Sequence, residues 1–80
     1  MEPHAYSFYA ERCEPGRNIA RYYAVSIERT MFGDLCVVRR WGRIGARGRI
    51  IRQCFDQPSA ALAFSTSLAR KKMGRGYVPH

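Results

Sequence analysis

The sequence predicts an α+β fold: a small antiparallel sheet of about four strands with one C-terminal helix packed on one face. Three observations lead there. Four segments between Tyr6 and Phe55 have strand length and strand patterning, and turn-forming clusters separate them. One later segment, residues 58–72, repeats apolar residues at helical spacing. A sheet this small leaves an apolar face wet unless something covers it, and that helix is the available cover.

The elements follow in order. Residues 6–13 (YSFYAERC) are aromatic-rich and read as a first strand, broken by Glu14-Pro15-Gly16. Residues 18–21 are a short polar approach. Residues 22–29 (YYAVSIER) read as a strand with Tyr23, Val25 and Ile27 on one face and Tyr22, Ala24, Ser26 and Glu28 on the other. Phe32-Gly33-Asp34 supplies a turn. Residues 35–41 (LCVVRRW) begin apolar on both faces, as an interior strand does. Residues 42–48 (GRIGARG) hold three glycines and read as a hairpin connection to a strand over 49–55. Pro58 suits the first helical turn, where its missing N–H would be unpaired anyway. Gln57 before it is a poor cap. Ala61, Phe64 and Leu68, with Ser65 beside them, form the apolar stripe. Arg70, Lys71 and Lys72 fall in the last turn, where the helix dipole favours cations. Gly74 is expected to cap the helix in the left-handed conformation, and Tyr77 to pack back on the core.

The 80 residues are enough for one domain. It is expected to span 1–80, with 1–17 as an N-terminal strand or extension and 18–78 as its core. The pairing of the first strand, within its own chain or with a second copy, is left open by the sequence. No apolar run is long enough to cross a membrane and the start lacks the pattern of a secretion signal, so a cytoplasmic location is expected, nucleoid-associated if DNA is bound. The three cysteines, Cys13, Cys36 and Cys54, are odd in number and widely spaced. No zinc-type spacing occurs, so neither a disulfide framework nor a metal site is expected, and no cofactor. Cys36 and Cys54 read as small buried hydrophobes.

Charge is distributed unequally. Residues 1–38 hold four basic against five acidic residues; residues 39–80 hold ten basic against one acidic. Twelve of the 14 basic residues are arginine, whose planar fork matches phosphate and whose charge is effectively permanent. A polyanionic partner is the natural inference. Six arginines lie between positions 39 and 52, interleaved with Trp41, three glycines and three isoleucines. Arg39, Trp41 and Arg43 share a parity, so an extended backbone places them on one side. Glycine allows close approach of a phosphate, arginine neutralises it, and an exposed indole stacks on a base or sugar. Arg39, Arg40, Trp41, Gly42, Arg43, Arg47 and Arg49 are therefore candidate nucleic-acid contacts. The flanking arginines argue for a partly exposed Trp41 at a rim rather than a central core residue. An enzyme is not expected: both histidines lie at the chain ends, Asp56 is the sole carboxylate of the basic half, and no nucleophile–base pair is suggested.

The run Val37-Val38-Arg39-Arg40-Trp41-Gly42-Arg43-Ile44-Gly45 closely resembles the signature of the WGR domain. The resemblance extends from the Tyr22-Tyr23 strand and the Phe32-Gly33 turn through Gly48, Phe55 and the Ala61/Phe64 helix to Lys72 and Gly76-Tyr77, about residues 18 to 78. WGR domains occur in DNA-dependent poly(ADP-ribose) polymerases and in bacterial proteins. The resemblance implies a small sheet with a helix, and DNA contact near a strand break. It further implies that the tryptophan matched by Trp41 lies against a terminal nucleotide. The arginine matched by Arg43 would connect DNA to neighbouring domains, and the lysine matched by Lys72 would lie near DNA. The expected function is thus nucleic-acid binding, of double-stranded DNA near ends or nicks, with RNA as the other polyanion composition allows. The alternative is a protein-interaction module whose Trp/Arg surface docks an acidic partner or a second copy as a homodimer.

Overall fold

The computed structural model describes residues 4–80, with side chains described from Tyr6 onward. The first three residues of the expected domain lie outside the described residues. The chain forms β1 (His4–Glu14), β2 (Ile19–Arg29), β3 (Leu35–Arg43), β4 (Arg49–Phe55), α1 (Pro58–Gly74) and β5 (Val78–Pro79). A single 3-10 turn, Pro15–Arg17, joins β1 to β2. The sheet is antiparallel throughout, in the order β4-β3-β2-β1-β5. It has five strands rather than about four. The addition is a two-residue strand that pairs Val78 and Pro79 with Glu11 and Ala10. β1 pairs with β2 of its own chain over its whole length, which answers the question its sequence left open.

Residues directly opposite in an antiparallel ladder share a face. One face therefore collects Ala10, Tyr23, Val25, Ile27, Leu35 and Val37, and α1 covers it with Ala61 to complete a core that Tyr77 closes. Phe8, Phe55, Phe64 and Leu68 pack around this core. The buried stripe of α1 is Ala61, Ser65 and Ala69. Small residues let the helix lie close to the strands, and the Ser65 hydroxyl is satisfied by donating to the Ala61 carbonyl at 2.9 Å.

Two expectations are corrected. Gly74 is not the left-handed cap: α1 runs through it, and Gly76 takes positive φ instead (95°). The Tyr77 N–H then bonds the Lys72 carbonyl and the Gly76 N–H bonds that of Met73, a Schellman ending. Cys36 and Cys54 are not two separate buried thiols. They are register partners on β3 and β4 and are joined by a disulfide, with Cys54 exposed. Linear spacing hides this, because only the register of the hairpin brings residues 18 apart into opposition.

The outer face of the sheet has no helix over it. Here the β3–β4 loop folds back, and Tyr22 is buried beneath it although it points away from the core. Two glycines make this approach possible. A Cβ on Gly42 would meet the Gly48 Cα at 2.8 Å, and a Cβ on Gly48 would fall on the Trp41 carbonyl oxygen.

Candidate nucleic-acid interface

The core face of β3 changes character along its length. Val37 is fully buried, but the next residues of the same parity are Arg39, Trp41 and Arg43. Their partners on β2 are Val25, Tyr23 and Arg21, so the face passes from apolar core to cationic rim within two residues. Trp41 is half-buried at that boundary, packed against the edge of the core.

The helix ending completes the rim. By returning Tyr77 toward Lys72, the Schellman turn holds the ammonium 5.3 Å from the Tyr77 ring centroid and 4.7 Å from that of Tyr23. Trp41 then stands between two adjoining clefts. One, of about 370 Å³, is bordered by Tyr23, Arg39, Lys71, Lys72 and Arg75. The other, of about 450 Å³, is bordered by Asn18, Arg21, Arg43, Lys72 and Tyr77. Together they form a groove lined, among the described residues, by six cations and no carboxylate.

Besides Lys72, two of these cations are positioned by identifiable contacts. The Arg39 guanidinium carbon lies 5.8 Å from both the Trp41 and Phe64 ring centroids. Arg43 reaches to Asn18, just before the start of β2, donating from Nη2 to Oδ1 at 3.2 Å and from Nη1 to the carbonyl at 3.4 Å. Asn18 accepts both from a left-handed conformation (φ 54°), which asparagine tolerates better than most residues.

The electrostatics are those of like charges crowded together and partly taken out of water. Burial lowers the Lys72 pKa below its ordinary 10.5, and the charges of Arg75, Arg39 and Arg21 lower it further. Burial raises the Tyr23 pKa, and the nearby Arg39 guanidinium opposes that rise. The two groups sit close together at the wall of the same cleft.

The eight candidate residues divide between the two faces. Arg39, Trp41, Arg43 and Lys72 converge on the groove, and the backbone of Gly42 borders it. Arg49 pairs with Trp41 in the ladder and lies beside it at the start of β4. Arg40 and Arg47 are elsewhere: they line a separate cleft on the outer face. Sequence reasoning missed Arg21, Lys71 and Arg75. Arg21 shares the parity of Tyr23, a usable signal, but its meeting with Arg43 depends on register. Lys71 was read only as a helix-dipole charge.

No helix among the described residues is long and apolar enough to cross a membrane. No solved structure matches the chain. It is 49% identical over 74 residues to the uncharacterized protein y4dW of Sinorhizobium fredii, an alignment that takes in 92% of this chain and 36% of that protein. It thus spans about a third of the length of that relative. The WGR domain profile matches residues 6–80, all five strands and the helix included but for the first two residues of β1, and the chain belongs to the WGR domain family.

Proposed function

We propose that this domain binds double-stranded DNA at an end or nick through the groove around Trp41, as a binding module without catalysis of its own. The observation that carries the reading is the groove's composition: six cations and a half-buried indole, with no carboxylate among the described residues that line it. A groove that merely kept the protein soluble would mix both signs of charge. Membership of a family associated with nucleic-acid binding in poly(ADP-ribose) polymerase-like proteins favours the same ligand. In this reading Arg21, Arg39, Arg43 and Lys72 neutralise phosphates while Trp41 stacks on the terminal nucleotide.

Trp41 is the sole tryptophan, so its emission reports this site alone. Titration with a short 5′-phosphorylated duplex should give a saturable change. If all six cations meet phosphates, the log–log slope of affinity against salt approaches about −5, at roughly 0.9 per phosphate. A folded protein that shows no change at low salt would pass the groove to an acidic protein partner.

Affinity should also fall as pH rises. Lys72 loses its proton below the ordinary lysine value in the free groove, because burial and three arginines disfavour its charge. A bound phosphate reverses that balance, so binding above the lowered pKa takes up a proton. Duplex affinity is then expected to decline through the lowered pKa, on approach to 10.5. Lys72→Arg, whose charge does not titrate there, should flatten the profile. Folding stability moves the other way, rising with pH across the same window, because the unfolded chain holds this proton more tightly. A wild-type affinity profile as flat as that of Lys72→Arg would remove Lys72 from the interface.

A further inference from the structure

The outer face of the sheet carries the two candidate cations that the groove does not use. Here the β3–β4 loop is fastened down by Tyr22, whose hydroxyl donates to the Arg47 carbonyl at 2.7 Å and lies 3.3 Å from that of Ala46. The loop, Arg40, Ile50, Ala24 and Tyr9 border an open cleft of about 810 Å³.

Its walls have a specific chemistry. The Tyr9 and Tyr22 rings stack at 6.2 Å with an angle of 18° between their planes. Tyr22 is covered, whereas Tyr9 keeps 39% of its surface open, with the His80 ring edge-on to it at 6.1 Å. Ala24 keeps the floor low, and Ile50 adds an apolar edge that is itself 40% exposed. None of the ion pairs among the described residues involves Arg40 or Arg47. The carboxylate beside Tyr9, that of Glu11, is already engaged: it accepts the Tyr9 hydroxyl at 2.7 Å and lies 3.4 Å from His80 Nε2.

We propose that this cleft is a second nucleic-acid site, which binds the unpaired nucleotides of a single-stranded DNA segment, with a base stacked on Tyr9 and phosphates held by Arg40 and Arg47. An aromatic platform flanked by free arginines is the arrangement by which proteins hold single strands, since every base offers a π face and every nucleotide a phosphate. The folded-over loop borders one side of the cleft, and an unpaired base, unlike one stacked in a duplex, has a free face to lay on Tyr9. An acidic peptide would satisfy the arginines but leave the aromatic platform unused. The site shares no residue with the groove of the proposed duplex reading and goes beyond it. With both occupied, the sheet would lie between a duplex and a strand peeled from it, as at an overhang or flap.

The test is fluorescence anisotropy of the full chain with labelled oligothymidylate alone and, separately, with a blunt 5′-phosphorylated duplex. Wild type should bind both. Arg40→Ala/Arg47→Ala should weaken oligothymidylate binding by tenfold or more and leave blunt-duplex binding within about threefold. Tyr9→Leu should weaken oligothymidylate binding at least fivefold, while Tyr9→Phe, which keeps the ring, retains most of it. These side chains are exposed, and near-ultraviolet circular dichroism would verify the fold of each variant. The proposal is overturned if wild type ignores oligothymidylate, if the arginine variant binds it normally or loses both ligands equally, or if an acidic peptide occupies the cleft and oligothymidylate does not displace it. Loss of blunt-duplex binding alone would sink only the groove reading.

Discussion

Gly48→Ala should cost about 2–6 kcal/mol of folding stability, the largest effect expected of any single methyl group in this domain. Two independent penalties add. Gly48 has φ +73°, a conformation in which a Cβ costs about 1–3 kcal/mol. The added carbon would also fall on the Trp41 carbonyl oxygen and 2.5 Å from the Tyr22 hydroxyl, and overpacking of this kind costs about 1–3 kcal/mol. Neither neighbour has room to yield, because Trp41 is fixed by the ladder and the Tyr22 hydroxyl by the loop carbonyls. Gly45→Ala is the control. It too has positive φ, but open space surrounds its missing side chain, so only the conformational penalty applies. Chemical denaturation of the two variants separates the terms, and equal losses would show that the close contact does not matter. A domain of this size has stability near the low end of the usual range, so Gly48→Ala should leave much of the chain unfolded at ambient temperature. Gly48 thus guards the packing that holds the end of β3, and with it Trp41.

The same locality explains what the sequence disclosed. Period-two patterning made Tyr23, Val25 and Ile27 a buried face, and they are one. Helical spacing placed Ala61, Phe64 and Leu68 against the sheet, though Ala69 was missed because a lone alanine adds little to an apolar stripe. The fifth strand escaped because two residues, one of them proline, show no period. What was hidden depends on register and on where the helix lands. Parity alone united Arg39, Trp41 and Arg43, but only the β2–β3 register adds Arg21, and only the helix ending delivers Lys72 and Arg75. Parity likewise implied that Arg40 leaves that face, yet clustering in sequence grouped it with its neighbours. Tyr22 patterned as a residue turned away from the core and is buried nonetheless, by a loop whose fold-back rests on a contact between Gly42 and Gly48.

Trp41→Leu should weaken duplex binding about 5- to 150-fold, corresponding to roughly 1–3 kcal/mol for the loss of one stacked base. Leucine is preferable to alanine because Trp41 both lines the groove and packs against the core. Alanine would remove both and confound weak binding with a loosened fold. Leucine keeps apolar bulk against the core, and Trp41→Phe keeps a smaller π face as well, so the expected order of affinity is Trp, then Phe, then Leu. Because the indole reporter is lost, a labelled duplex followed by anisotropy is the measurement. Salt dependence supplies a second, independent signature. Trp41 neutralises no phosphate, so Trp41→Leu should lower affinity while leaving the salt slope unchanged. Lys72→Ala should instead make the slope shallower by about 0.9, one phosphate contact fewer. Equal affinities for the leucine and phenylalanine variants would show that Trp41 serves as packing at the rim of the core and that stacking plays no part. A slope that changes in Trp41→Leu would mean that the indole positions the surrounding arginines, Arg39 first among them, since its guanidinium lies over the ring.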